Sequence, residues 1–225
     1  MSGVFVTSTG TDIGKTFVTA GLIRELRRRG QNVHAIKPVV SGFDPDKSAS
    51  SDPSVLLDAL GKSTDIDAIE KISPWRFSAH LSPDSAARHE GRAINFDDVV
   101  AFSKEASTRF DGTLFIEGVG GVMVPLDDGH TVLDWMEALG LPVLLVAGSY
   151  LGTISHTLSA LEVLASRQLR VQAIIISESV GSSVPTEEIF QTIMRFANHK
   201  KVFSLPRLQP GQIDHPMFVD VVNAL

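Results

Sequence analysis

Near its start the chain runs from an apolar segment, Val4-Phe5-Val6, into Ser8-Thr9-Gly10-Thr11-Asp12-Ile13-Gly14-Lys15-Thr16. From Lys15 to Arg29, Val18, Leu22, Ile23 and Leu26 then recur at helical spacing until Gly30 stops the pattern. A buried strand, a loop and a helix opened by Gly-Lys-Thr are the parts of a nucleotide-binding P-loop. The residue types suit phosphate. Gly14 permits close backbone approach, free amides at the helix start bind the anion, Lys15 neutralises β/γ charge and Thr16 offers a hydroxyl to Mg²⁺. The general pattern is imperfect here, because its first glycine falls at Thr9.

The rest of the chain repeats this unit. Strand-like apolar runs recur at 33–36, 113–116, 142–147, 171–176 and 202–205, with helical patterns between several of them. Alternation of this kind, with strands apolar on both faces, predicts an α/β fold of the P-loop NTPase type: a mainly parallel sheet with helices on both faces. With 225 residues and 43% apolar content, one domain over 1–225 is expected. The segment 41–53, rich in Ser, Asp and Pro, reads as a surface loop.

Composition narrows the chemistry. The chain contains no cysteine, which removes disulfides, thiolate catalysis and thiolate metal sites and fits a cytoplasmic protein. No signal-peptide pattern opens it, and no apolar run reaches the roughly 20 residues a bilayer span needs, so no membrane is expected. A formal net charge of −6 argues against a nucleic-acid partner. The one basic cluster, Arg24, Arg27, Arg28 and Arg29, ends the first helix, where cations complement the helix dipole. The seven histidines, His199 among them, show no zinc-ligand spacing.

Four further segments lie at predicted strand ends or helix starts. Lys37-Pro38-Val39-Val40-Ser41-Gly42 follows the second strand, and Asp52 precedes Val55-Leu56-Leu57. Glu117-Gly118-Val119-Gly120-Gly121 follows Leu114-Phe115-Ile116, and the segment from Gly148 to His156 follows another apolar run. A lysine at a strand's carboxyl end can stabilise charge developing on phosphate oxygens. Two carboxylates with Thr16 are hard oxygen ligands suited to Mg²⁺.

Together with the P-loop, these segments resemble the dethiobiotin synthetase family in order and spacing over nearly the whole chain. The resemblance implies an ATP- and Mg²⁺-dependent ligase of biotin biosynthesis. Such an enzyme closes a cyclic urea on 7,8-diaminononanoate with CO2 and releases ADP and phosphate. It implies Lys37 and Lys15 as catalytic, and Thr16, Asp52 and Glu117 as metal ligands. For the nucleotide it implies Asp12, Ile13, Gly14, Lys15, Thr16, Phe17, Asp52, Glu117, Gly118, Val119, Gly120, Glu178, Pro206, Arg207 and Leu208. Substrate falls to Thr11, Lys37, Ser41, Thr153, Ile154 and Ser155, the last three at a helix start that receives the substrate carboxylate across a homodimer interface. Ser82-Pro83 is a weaker similarity. The family has a glycine where this chain has Ser8, and reads adenine with an asparagine near Glu178. A glutamate there accepts hydrogen bonds but donates none.

Two other readings use the same phosphate site. A P-loop switch ATPase of the partitioning type carries an additional lysine early in its loop, and the stretch Ser8 to Ile13 has none. An ATP-dependent ligase acting on another substrate would lack the Lys37 segment.

Overall fold

The computed structural model describes residues 2–198 and 200–225; His199 lies outside them. The chain begins with β1 (Ser2–Ser8), α1 (Lys15–Arg28), β2 (Val33–Ile36) and the short β3 (Val39–Ser41). A 3-10 turn (Pro45–Ser50), α2 (Asp52–Ala59), α3 (Ile66–Ile72), β4 (Trp75–Phe77), α4 (Pro83–His89) and α5 (Phe96–Arg109) follow. The second half alternates: β5 (Thr113–Glu117), α6 (Val132–Leu139), β6 (Val143–Gly148), α7 (Thr153–Ser166), β7 (Val171–Ser177), α8 (Thr186–Phe196), β8 (Lys201–Leu205) and α9 (Pro216–Ala224).

Among the described residues the main sheet has six parallel strands in the order β2-β5-β1-β6-β7-β8. Its centre is apolar on both faces: all of β6 and Leu114–Glu117 of β5 are buried. That is what parallel strands covered on both sides require. The connection from β1 to β2 runs one way along the sheet, and those through α7 and α8 run the other. Right-handed crossovers therefore place α1 on one face and α7 and α8 on the opposite one. The packing agrees, since α1 lies against α2 and α9, α5 against α6, and α7 against α8.

The direction of winding reverses at β1, which lies between β5 and β6. Such a switch point opens a crevice beyond the carboxyl ends of the strands. The P-loop, Lys37 and Glu117 all sit at those ends. The predicted surface loop at 41–53 is instead ordered. Ser41 pairs with Phe77 in a second, two-stranded parallel sheet, Pro45–Ser50 forms the 3-10 turn, and Asp52 begins α2. Its serines explain the order: Ser51 and Ser54 both donate to the Ser48 carbonyl, closing the turn from within.

Candidate active site

The crevice is a cleft of about 840 Å³ lined by the P-loop, Lys37, Ser41, Asp52, Val119 and Gly120. Its floor is the turn from β1 into α1. Asp12 (φ 56°) and Gly14 (φ 97°) both adopt the left-handed conformation, and turns of this kind aim successive amides into one concavity. Gly14 cannot be replaced freely. Besides its φ, a Cβ there would lie 2.8 Å from the Ser177 hydroxyl at the end of β7.

Two lysines define the electrostatics. Lys37 is buried and bridges two carboxylates, 2.6 Å from Asp52 Oδ2 and 2.7 Å from Glu117 Oε1. Burial pushes its pKa down, but Glu117 and Asp52 outweigh burial and hold it above the ordinary lysine value. Burial pushes Asp52 up, and Lys37 more than reverses this, leaving its carboxyl below the usual range. Lys15 has no such partner. Its ammonium donates to Ser8 Oγ (2.9 Å) and to the carbonyls of Gly10 (3.2 Å) and Gly120 (2.8 Å). Burial first, then the Lys37 charge, lower it to about 8.

Thr16, Asp52 and Glu117 bring side-chain oxygens together around Lys37. Thr16 Oγ1 donates to Glu117 Oε1 at 2.5 Å, while Glu117 Oε2 is fully buried and has no hydrogen-bond partner. An unpartnered buried carboxylate oxygen is costly unless a ligand satisfies it. With half-buried Asp52 opposite, the set fits Mg²⁺, which takes a few protein oxygens and keeps several waters.

The structure does not bring every predicted residue into this cleft. Gly118 is buried behind it, where a Cβ would meet the Phe5 ring at 2.9 Å. Glu178 and Pro206-Arg207-Leu208 form a separate corner beside it: Glu178 N donates to Leu205 O, and Arg207 N to Glu178 Oε2 at 2.8 Å. Glu178 thus caps the loop after β8, and the residue abutting the P-loop is its neighbour Ser177. Thr153, Ile154 and Ser155 begin α7 and do not line the cleft of their own chain, with the Thr153 hydroxyl on the Gly148 carbonyl.

Other parts of the site were given no role by the sequence reading. Ser8 contacts Lys15, and Val40, Phe43, His80 and Leu81 wall the cleft beside Ser82 and Pro83. His80 is placed by Gly42, whose φ of 75° and missing Cβ leave room for the imidazole.

The chain is similar to known proteins along most of its length. A family model described as an AAA domain matches residues 2–211. The ATP-dependent dethiobiotin synthetase of Acidiphilium cryptum is 49% identical over 87% of this chain and 88% of its own. That of Caulobacter sp. (strain K31) is 51% identical over 92% and 89%. Among solved structures, a ParA family ATPase from Chlorobium tepidum superposes with a TM-score of 0.58 at 14% identity, covering 99% of both chains. That distant likeness reflects the shared fold, whereas identity near one half over about nine tenths of the length shows the family: the chain belongs to the ATP-dependent dethiobiotin synthetase family.

Proposed function

We propose that the cleft closes the ureido ring of dethiobiotin from 7,8-diaminononanoate, CO2 and ATP, releasing ADP and phosphate. The observation that carries this reading is the convergence of Lys15, Thr16, Lys37 and Asp52 on one cleft, with buried Glu117 bonded to Lys37 and Thr16 behind them. One amine of the substrate captures CO2 as a carbamate. A carbamate oxygen takes the γ-phosphoryl group of ATP, ADP departs, and the second amine attacks the carbamoyl carbon and expels phosphate. Every covalent partner comes from the substrates, so the protein has to position them and offset charge.

The P-loop amides from Asp12 to Phe17 receive the phosphates, and Lys15 neutralises their β/γ charge. Lys37, held charged between Asp52 and Glu117, offers its ammonium to the carbamate and the transferring phosphoryl oxygens. Thr11 and Ser41 line the diamine end of the cleft. Thr16, Asp52 and Glu117 would hold Mg²⁺, which when bound offsets charge on the phosphates. Ser177, Glu178 and Pro206–Leu208 make the corner nearest the nucleotide base.

The protein acts as a homodimer in this reading. The first amides of α7 suit a carboxylate, yet they do not line their own cleft, and Leu151 just before them is 83% exposed. A partner's cleft supplies the missing contact. The chemistry depends on ATP made inside the cell, which puts the enzyme in the cytoplasm. Among the described residues, no helix is long and apolar enough to cross a membrane.

The test is ADP release from ATP, Mg²⁺ and bicarbonate, with and without 7,8-diaminononanoate, with the product identified by mass spectrometry. Diamine-dependent turnover that yields dethiobiotin is expected. Hydrolysis indifferent to the diamine would favour a switch ATPase, and turnover only with another amine or acid would favour a different ligase.

A further inference from the structure

An ammonium carries three N–H donors, and in this structure protein acceptors take all of those of Lys15: Ser8 Oγ, Gly10 O and Gly120 O. Ser8 is the hub of the arrangement. It is the last residue of β1, fully buried, and its hydroxyl also reaches the carbonyls of Gly10 and Gly120 (3.0 Å for the latter). Its own carbonyl accepts from Val122 N, so one residue ties together the end of β1, the P-loop and the loop after β5. The two carbonyls of the cradle belong to the backbone. The hydroxyl is its one side-chain member.

We propose that Ser8 is a positioning residue for nucleotide, its hydroxyl completing a three-acceptor cradle that holds Lys15 until β- and γ-phosphate oxygens displace it. This rests on the reading of the cleft as a nucleotide site. A phosphate that binds Lys15 must replace at least one bond already made, and that exchange lowers the net gain. Without the hydroxyl one N–H of Lys15 is uncommitted, and phosphate gains it without displacing a protein acceptor. The effect is confined to nucleotides that reach Lys15. ADP and ATP do, whereas AMP lacks the β-phosphate.

The experiment is calorimetric titration of ADP and of AMP into wild type, Ser8→Ala and Ser8→Gly, without divalent cation. Glycine keeps the test open if the alanine methyl disturbs the loop. The expected result is ADP binding tighter by roughly three- to tenfold in the variants, the scale of one hydrogen bond, with AMP affinity within about twofold of wild type. ADP affinity unchanged or weakened, or AMP moving in step with ADP, overturns the proposal. Failure of all three proteins to bind ADP would instead remove the nucleotide reading, and the proposal with it.

Discussion

Lys37 is the residue on which charge is most concentrated. Its ammonium is buried between two carboxylates, and one of them, Glu117, has no exposure to solvent at all. Removing one member of a buried pair leaves the other uncompensated. Lys37→Met is therefore expected to lower stability by about 3 kcal/mol, read by urea denaturation of the nucleotide-free protein. In kinetics the same variant should lose about a hundredfold or more in kcat while its ATP dissociation constant moves less than about threefold. Unchanged turnover would remove Lys37 from the chemistry. The motif after β2 made this lysine legible in the sequence, but its two partners are 15 and 80 positions away, and the sequence alone does not pair them. Ser8 is the opposite case: the resemblance marks it only as a departure from the family's glycine, and its bond to Lys15 is visible only once Lys15 folds back onto it.

At the scale of elements, α1 carries the P-loop and is fixed at both flanks. Its basic end, legible as a dipole-complementing cluster, is organised by a single acid. Glu25 is buried and accepts from Arg28 at 2.9 Å and Arg29 at 2.6 Å, while Arg24 pairs with Asp58 of α2. The Arg28 hydrogen bond, against the opposing effect of burial and with help from Arg29, holds the Glu25 carboxyl below its usual value. A depressed carboxylate contributes stability above its unfolded pKa, and that stability is lost as pH falls through the folded pKa. Glu25→Gln should thus cost about 1 kcal/mol at pH 7, and the gap to wild type should close as pH drops below about 4, checked by urea melts across that range. On the other flank, Gly21 in mid-helix gives room for the Phe218 ring of α9. Alanine is the better helix former, yet Gly21→Ala is expected to destabilise by about 1–3 kcal/mol, because its methyl collides with that ring. A higher Tm in thermal melts would show that α9 moves aside without loss.

For the whole molecule, the proposed homodimer turns on the start of α7, which does not line the cleft of its own chain. If a partner's α7 completes the site, Leu151→Lys should shift the protein from dimer to monomer in sedimentation velocity. The KM for the diamine should rise about tenfold or more while ATP affinity stays near wild type. A variant that remains dimeric with an unchanged KM would rule out this face as the interface.

Much of the architecture was legible because it rests on local rules. Apolar runs marked β1, β2 and β5 to β8, and helical spacing ended by Gly30 marked α1, because burial on both sides of a parallel sheet leaves a continuous apolar trace in sequence. The β3–β4 pair and the 3-10 turn were not legible: three-residue strands are too short to show a period, and a serine-rich stretch reads as loop until its hydroxyls find their carbonyls. By itself the sequence determined the fold class and the phosphate loop, since apolar runs and a glycine-lysine-threonine helix start follow from the chain, while its resemblance to a family supplied the candidate lysines and carboxylates. Only the tertiary structure decided that Lys37 lies between Asp52 and Glu117, that Lys15 is held by Ser8, and that Glu178 turns to Arg207. Lys37–Glu117 and Glu178–Arg207 follow from the order in which parallel strands are laid side by side, β2 beside β5 and β7 beside β8, whereas Asp52 arrives on the start of α2 and Lys15 folds back onto Ser8 within the P-loop.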